Sequence, residues 1–330
     1  MKHRLVIVAL ILLVLCLPSV YAGNSKRIGT AGAQELLIPI GSRGTAMGGT
    51  TVADASGVEA MYWNPAGLAS LEGTEAMFSH QPYIADIDIN FGGVATNIES
   101  FGAIGLGAKV VSIGDMEETT QQFPDGTGRV FNPTLTVLGL TYARQLTANV
   151  SFGATGMLIN ETIFEATSNA TAFDVGFIYD PRWRGVKMGI AVKNYGPQAK
   201  FSGKGFERFL TDQRPTSPNA ASYDLPSSIN IGISYNAFNQ GMNSVTLAGN
   251  FRSNNFQEDM WQGGAEYAYN QRYFLRAGYN YSKQDQYLYG ASVGAGLSYP
   301  IGSTKLTFEY AWTQTETFDD NQYFTLRANF

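Results

Sequence analysis

The feature that most constrains the fold is an alternation of apolar and polar side chains, which recurs over most of the chain. It is clearest in segment 304–313, where Leu306 and Phe308 alternate with Thr307 and Glu309. Successive side chains of a β-strand point to opposite faces, so this period of two residues predicts strands with one apolar and one polar face. About fourteen such strands are predicted, at 75–82, 87–97, 101–113, 131–145, 148–163, 170–180, 186–195, 227–238, 243–252, 259–269, 272–282, 287–299, 304–313 and 321–330.

The connections between these strands alternate in length. Every second connection is short, at 98–100, 146–147, 181–185, 239–242, 270–271 and 300–303. The others tend to be longer, at 114–130, 164–169, 196–226, 253–258 and 314–320, with 83–86 and 283–286 as short exceptions. A soluble β-sandwich gives no reason for this sorting, whereas bacterial barrels carry short periplasmic turns and longer surface loops. The sequence therefore predicts an all-β fold, a transmembrane antiparallel β-barrel of about 14 strands. An even strand count also places the mature N-terminus and Phe330 on the same, periplasmic side.

Composition agrees with a barrel in lipid. Charged residues make up 15% of the chain, against roughly 25% in soluble domains, and glycine numbers 37. No stretch after the first 22 residues approaches the length of apolar sequence that a transmembrane helix needs. Aromatic residues fall at strand ends, as interfacial girdles require. The predicted outer girdle is Trp261, Tyr281, Tyr287, Tyr289 and Trp312, and the inner one is Tyr235, Tyr267, Tyr269, Tyr273, Tyr299 and Phe330. Aromatics capping a soluble core remain the alternative.

The first 22 residues predict export. A basic head, residues 1–4, precedes an apolar run over 5–17, and small residues precede Gly23, so we expect cleavage after Ala22. We therefore divide the chain into a signal peptide at 1–22, an N-terminal plug segment at 23–74 and an outer-membrane barrel at 75–330.

Cleavage would remove Cys16, the one cysteine, and leave His80 as the one histidine. Zinc sites and Ser/Cys–His catalysis then lack most of their usual parts, so we expect no enzyme and no cofactor. Acidic residues outnumber basic ones, 27 to 22, which argues against a nucleic-acid partner.

Residues 23–74 do not have the pattern of barrel strands. This segment is rich in glycine and alanine, and a compact segment of this kind can fit inside a barrel lumen. Its candidate plug motif consists of Met47, Gly48, Gly49, Trp63, Asn64, Pro65, Ala66 and Gly67.

Segments 43–49 (Arg-Gly-Thr-Ala-Met-Gly-Gly) and 62–68 (Tyr-Trp-Asn-Pro-Ala-Gly-Leu) resemble the N-terminal signature of the PorV/PorQ family. That family is similar to the FadL-type fatty-acid transporters, which also carry an Asn-Pro-Ala motif before the barrel. The resemblance implies a binding component of the type IX secretion system that receives or sheds exported cargo. The alternative that it implies is a FadL-like channel for hydrophobic small molecules such as fatty acids. A purely structural surface protein is a third hypothesis.

Two further sets of residues are candidate functional elements. Gly102, Gly105 and Gly107 make the third strand a candidate kink and lateral opening, unless they only fit a crowded contact between plug and wall. The long 196–226 connection carries Phe201, Phe206, Arg208 and Phe209, which predict either a partner-binding loop or a plain exposed loop. Expected partners are outer-membrane lipid, secretion-system subunits with exported cargo, and hydrophobic small molecules. The inward faces assigned to the strands are largely polar or glycine, which favours the secretion role.

Overall fold

The computed structural model describes residues 27–84, 87–203, 220–283, 289–315 and 318–330. Within these ranges fourteen long antiparallel strands form the wall of a barrel. They are β1 (Thr74–Pro82), β2 (Asp88–Ile98), β3 (Gly102–Ser112), β4 (Thr134–Thr147), β5 (Val150–Ile163), β6 (Ala166–Tyr179), β7 (Val186–Tyr195), β8 (Ser228–Gln240), β9 (Asn243–Asn254), β10 (Met260–Tyr269), β11 (Tyr273–Ser282), β12 (Tyr289–Ile301), β13 (Thr304–Thr315) and β14 (Asn321–Asn329). Each predicted strand is confirmed to within a few residues.

The sheet closes on itself. Each strand pairs with its chain neighbours, and β1 pairs with β14 in a register that sets Glu75 opposite Asn329. The β6–β7 pair contains a bulge, because Phe173 opposes Tyr195 while Val175 opposes Val192. A closed ring leaves no unpaired strand edge, which is the condition for β-structure to stand in hydrocarbon.

The two faces of the wall are those that the alternation predicts. In β13, Phe308 is 51% exposed on the outside while Glu309 is 1% exposed on the inside. The outer surface is strongly apolar, as a lipid-facing surface must be. Most of the described girdle residues have exposed side chains, namely Trp261, Tyr281, Tyr235, Tyr267, Tyr269, Tyr273, Tyr299 and Phe330. Trp312 is half-buried. The side chains of Tyr287 and Tyr289 lie outside the described part.

We call the end of the barrel that carries the short turns and Phe330 the turn rim, and the opposite end the loop rim. The predicted loop at 164–169 is wrong in length: Ile163 pairs with Ala166, so β5 and β6 are joined by a two-residue turn. Phe164 at its apex has a φ of 54°, and this left-handed backbone makes the tight turn feasible. Short extra strands pair Met116–Glu117 with Val130–Phe131 in the β3–β4 loop, and Phe201–Ser202 with β6.

Residues 27–73, the luminal segment, lie inside the barrel. They form a 3-10 helix at Gln34–Leu37, α1 (Ser42–Ala46), α2 (Ala60–Trp63) and a 3-10 helix at Pro65–Ser70. Met47, Val58 and Leu68 are completely buried. In the described ranges we find no helix with the length and apolarity to cross a membrane.

The first described residue of the luminal segment lies at the loop rim, whereas the even strand count predicted a start on the same side as Phe330. Arg27 Nη2 lies 2.7 Å from Asp224 Oδ2 in the β7–β8 loop, and Gly29 N donates to Phe256 O in the β9–β10 loop. Thr74 lies at the turn rim, where its N–H donates to Phe330 O. The strand count correctly locates the start of β1 beside Phe330. It does not consider that the residues before β1 are numerous enough to cross the lumen from one rim to the other.

Candidate functional site

Inward-facing glycines of the wall let the luminal segment approach the barrel backbone. A Cβ at any of these glycines would collide with the segment, so a side chain there would force it away from the wall. They are Gly153, Gly176, Gly189, Gly264, Gly278 and Gly294. The atoms that they meet belong to Pro65, Ala66, Asn64, Val52, Met47, Gly48 and Ala46. Most of the predicted motif thus lies against wall glycines, a pairing that the sequence did not reveal.

Asn64 joins the luminal segment to the wall. Its Nδ2 donates to Val52 O at 2.7 Å and to Phe177 O of β6 at 3.2 Å, and its Oδ1 accepts from Ala66 N at 3.1 Å. The side chain is completely buried. It also caps the 3-10 helix at Pro65–Ser70, with proline at the first position, where no N–H is needed. A change at Asn64 therefore affects both the local turn and the contact with β6.

The rest of the motif builds a tight fold around Glu59. Gly48 and Gly49 follow α1 with φ values of 66° and 78°, which glycine adopts without strain. Glu59 Oε1 accepts hydrogen bonds from Gly44 N at 2.7 Å and from Trp63 Nε1 at 3.2 Å. Burial raises the pKa of Glu59 above its usual value, and the nearby Arg327 opposes that rise.

An ionic network connects the luminal segment to β10, β11, β13 and β14. Arg43 contacts Asp54 at 2.8 Å and Glu266 at 3.0 Å, and Glu266 also contacts Arg276 at 2.6 Å. Arg327 pairs with Glu309 and lies 3.6 Å from Glu59. The neighbouring carboxylates hold the pKa of Arg43 well above its usual value despite its burial. The polar inner face that the alternation predicts is therefore built here from paired charges, with Glu309 and Arg276 both buried.

On the opposite side, the inner face of β2–β5 is apolar toward the loop rim, unlike the polar inner face assigned to other strands. Its buried residues pack against Leu36 and Leu225, and include Ile89, Val111, Leu135, Val137 and Ile159. Beside them is a cavity of about 60 Å³. Lys193 Nζ lies 3.4 Å from the ring centroid of Tyr62 at its edge, and Lys109 Nζ donates to Glu35 O and Ile38 O.

The third-strand glycines lie in a regular strand. β3 pairs with β2 and β4 without a register shift, and the nearest irregularity along the wall is in the β4–β5 pair, between Gln145 and Thr147. A Cβ at Gly105 would lie 2.7 Å from Met61 Sδ, and one at Gly107 would lie 3.1 Å from Met61 Cε. Both positions are therefore close contacts between wall and luminal segment, and a lateral opening there stays a prediction.

The base of the predicted partner loop folds over the lumen. Phe201 pairs with β6, and its ring centroid lies 5.7 Å from that of Tyr223. Tyr223 donates to Ser168 Oγ at 2.8 Å and packs against Gly32 of the luminal segment. Burial raises the pKa of Tyr223 above its usual value. The other predicted residues of this loop, Phe206, Arg208 and Phe209, lie outside the described residues.

Solved structures with a similar fold include monoaromatic hydrocarbon channels. The CymD monoaromatic hydrocarbon channel has 15% identity and a TM-score of 0.54, over 88% of this chain and 97% of that chain. The toluene transporter TodX of Pseudomonas putida has 16% identity and a TM-score of 0.54, over 88% and 97%. A FadL homologue of Pseudomonas aeruginosa has 13% identity and a TM-score of 0.55, over 89% and 98%. At these identities the likeness concerns the fold alone.

Sequence comparison gives a narrower result. A search of curated proteins finds no significant match. The profile of the family described as "Type IX secretion system protein PorV" matches residues 21–225, a span that contains the whole luminal segment and β1 to β7. Since this match covers more than half of a chain that folds as a fourteen-stranded, FadL-like barrel, the protein belongs to the PorV family of outer-membrane barrels associated with type IX protein secretion.

Proposed function

We propose that this barrel is a closed, non-enzymatic binding component of type IX secretion that offers its loop rim to exported cargo or to secretion-system subunits. The observation that carries the proposal is the filling of the lumen. The cavity beside Tyr62 measures about 60 Å³, whereas a cavity that binds benzene measures roughly 150 Å³. A fatty acid is larger still, so this apolar cavity has no room for it. The larger luminal space, of about 490 Å³, is lined by charged side chains such as Arg43, Glu309 and Arg327 and does not suit an apolar chain.

The loop rim supplies a surface suited to a protein partner. The β3–β4 loop (residues 113–133), which we call the surface hairpin, exposes three apolar side chains: Met116 at 47%, Phe123 at 57% and Val130 at 55%. Its base is anchored on the β5–β6 turn, because the Phe131 ring lies 4.9 Å from that of Phe164. Exposed aromatic and apolar groups on an anchored loop are typical of protein-binding sites.

Placement in the membrane follows from the family and the barrel fold. We further propose cleavage after Ala22, which would start the mature chain four residues before Arg27 at the loop rim. N-terminal sequencing of protein purified from outer membranes tests this site, and a different first residue would contradict it.

The second candidate function is a channel for hydrophobic small molecules. One observation favours it: inward-facing Gly93, Gly107 and Gly139 oppose one another across β2, β3 and β4. At these three glycines, only the strand backbone separates the internal cavity from an apolar groove of about 540 Å³ on the outer surface. CymD is a monoaromatic hydrocarbon channel and TodX a toluene transporter, but the inner cavity of this chain is too small for such compounds without movement of the luminal segment.

Deletion of the gene separates the two functions. The inventory of surface and secreted proteins is compared with uptake of a labelled fatty acid in the same cells. Loss of secreted cargo with normal uptake supports the binding role, and the reverse result supports the channel. Unchanged results in both assays would contradict both proposals and leave a structural role.

A further inference from the structure

The β6–β7 turn at the turn rim has an unusual backbone and composition. It reads Asp180-Pro181-Arg182-Trp183-Arg184-Gly185, and the φ values of Arg182 and Arg184 are 55° and 52°. Left-handed backbone is uncommon for residues other than glycine, and here two arginines adopt it on either side of one tryptophan. Strain of this kind persists only where surrounding contacts fix it, and it clusters at functional sites.

A neighbouring turn and strand β8 fix the backbone of this turn. Asn149 donates from Nδ2 to Asp180 O at 2.7 Å, and Asp180 N donates to Asn149 O at 2.8 Å. On the other side, Asn236 N donates to Gly185 O at 2.9 Å. The turn is thus held at both ends, and its tip carries Trp183, which is 61% exposed, with the Arg184 guanidinium 5.2 Å from the indole centroid.

The tip carries unpaired positive charge. Among the described residues, the guanidinium groups of Arg182 and Arg184 contact no carboxylate. The carboxylate in the same turn, Asp180, pairs instead with Lys187 at 3.8 Å. This contrasts with the whole chain, whose formal net charge is −5. Cationic side chains that are rigidly presented and have no internal partner suit an anionic ligand.

The turn also borders lipid. Phe177 and Tyr179, just before it, and Met188, just after it, are exposed on the outer face. The Phe177 ring lies 5.1 Å from that of Phe152, which pairs with the exposed Arg144. Arginines around an exposed tryptophan at the edge of an apolar belt match the boundary between hydrocarbon and headgroups.

We propose that the turn 180–185, together with Arg144, is a binding site for an anionic phospholipid headgroup of the leaflet that faces the turn rim. Arg182 and Arg184 would contact the phosphate, and Trp183 would lie at the level of the glycerol backbone. This inference is independent of the secretion role, because it concerns the turn rim and not the loop rim.

The test uses the full mature protein in phosphatidylcholine vesicles that contain brominated phosphatidylglycerol or, at the same mole fraction, brominated phosphatidylcholine. Subtracting the signal of Trp183→Phe isolates the quenching of Trp183. We expect phosphatidylglycerol to associate about five-fold more tightly for each contributing arginine. In Arg182→Gln/Arg184→Gln the two lipids should quench alike, because glutamine keeps the size of the side chain but not its charge.

Arg272→Gln/Lys305→Gln, which removes two charges elsewhere on the turn rim, should keep the wild-type preference. If the turn variant does not assemble, the wild-type protein alone tests the proposal. Its preference for phosphatidylglycerol should disappear at high salt, because salt screens an electrostatic interaction. A preference that survives in the turn variant or in high salt would overturn the proposal. Equal quenching by both lipids in the wild-type protein at low salt would overturn it too, and would indicate a protein partner for the turn.

Discussion

The amide side chain of Asn64 donates a hydrogen bond to the main-chain carbonyl of Phe177 at 3.2 Å, across the boundary between luminal segment and barrel wall. Inward-facing Gly176 precedes Phe177 and leaves the space that the amide occupies. The Asn-Pro-Ala motif is therefore one half of a contact, and a glycine 112 positions later is the other half. Both halves can be changed separately, and each change gives a prediction.

We predict that Asn64→Ala loosens the luminal segment and leaves the barrel assembled. The change leaves Val52 O, Phe177 O and Ala66 N without their buried partner. One such loss costs about 2 kcal/mol, or roughly a 30-fold rise in local opening. Limited trypsin cleavage after Arg43 measures that opening. Asn90→Ala, which removes an amide that contacts His80 in the wall, is the control and should cleave at the wild-type rate.

We predict that Gly176→Ala displaces the luminal segment from the wall and admits ions. A Cβ there would overlap Asn64 Oδ1, whereas a Cβ at Gly263 would have no heavy atom within 4 Å. Both changes add one methyl group to a barrel strand, so Gly263→Ala is a matched control. Conductance in planar bilayers is the measurement. Equal and negligible conductance in both variants would show that the segment does not depend on this contact.

The strands could be predicted from the sequence because their alternation is a local property: Leu306 and Phe308 face lipid, and Thr307 and Glu309 face the lumen. The N-terminal motif could be identified, but its contacts with wall glycines could not, since they join residues far apart in the chain. Arg27 and Asp224 show the same limit, because they are 197 positions apart and their pairing places the first described residues at the loop rim. The two-residue turn at Phe164 was missed because its flanking residues lack apolar alternation.

We predict that Arg43→Met destabilises the contact between the luminal segment and the wall by about 3 kcal/mol, because it leaves the buried carboxylates of Asp54 and Glu266 short of a partner. In the double variant Arg43→Met/Glu266→Gln, one of those uncompensated charges is gone. Its cost should therefore be smaller than the sum of the two single costs. Urea unfolding in detergent, followed by the gel shift between unboiled and boiled protein, measures all three. Strict additivity would show that Arg43 and Glu266 act independently.

We predict that Phe123→Ser/Val130→Ser on the surface hairpin lowers the amount of secreted cargo without affecting assembly of the barrel. Both side chains are more than half exposed at the loop rim, so their removal should not disturb the wall. If they contact a partner as central apolar anchors, binding should weaken by about 2 kcal/mol, or roughly 30-fold. Quantitative mass spectrometry of secreted proteins measures the effect, and unboiled gels verify assembly.

The control variant is Phe318→Ser, which removes another exposed aromatic side chain, 49% accessible, from the β13–β14 loop on the same rim. Cargo should fall in the hairpin variant and not in this control. If both variants secrete normally, the partner surface lies elsewhere on the loop rim. If both fail equally, the rim requires apolar character in general and the hairpin has no special role.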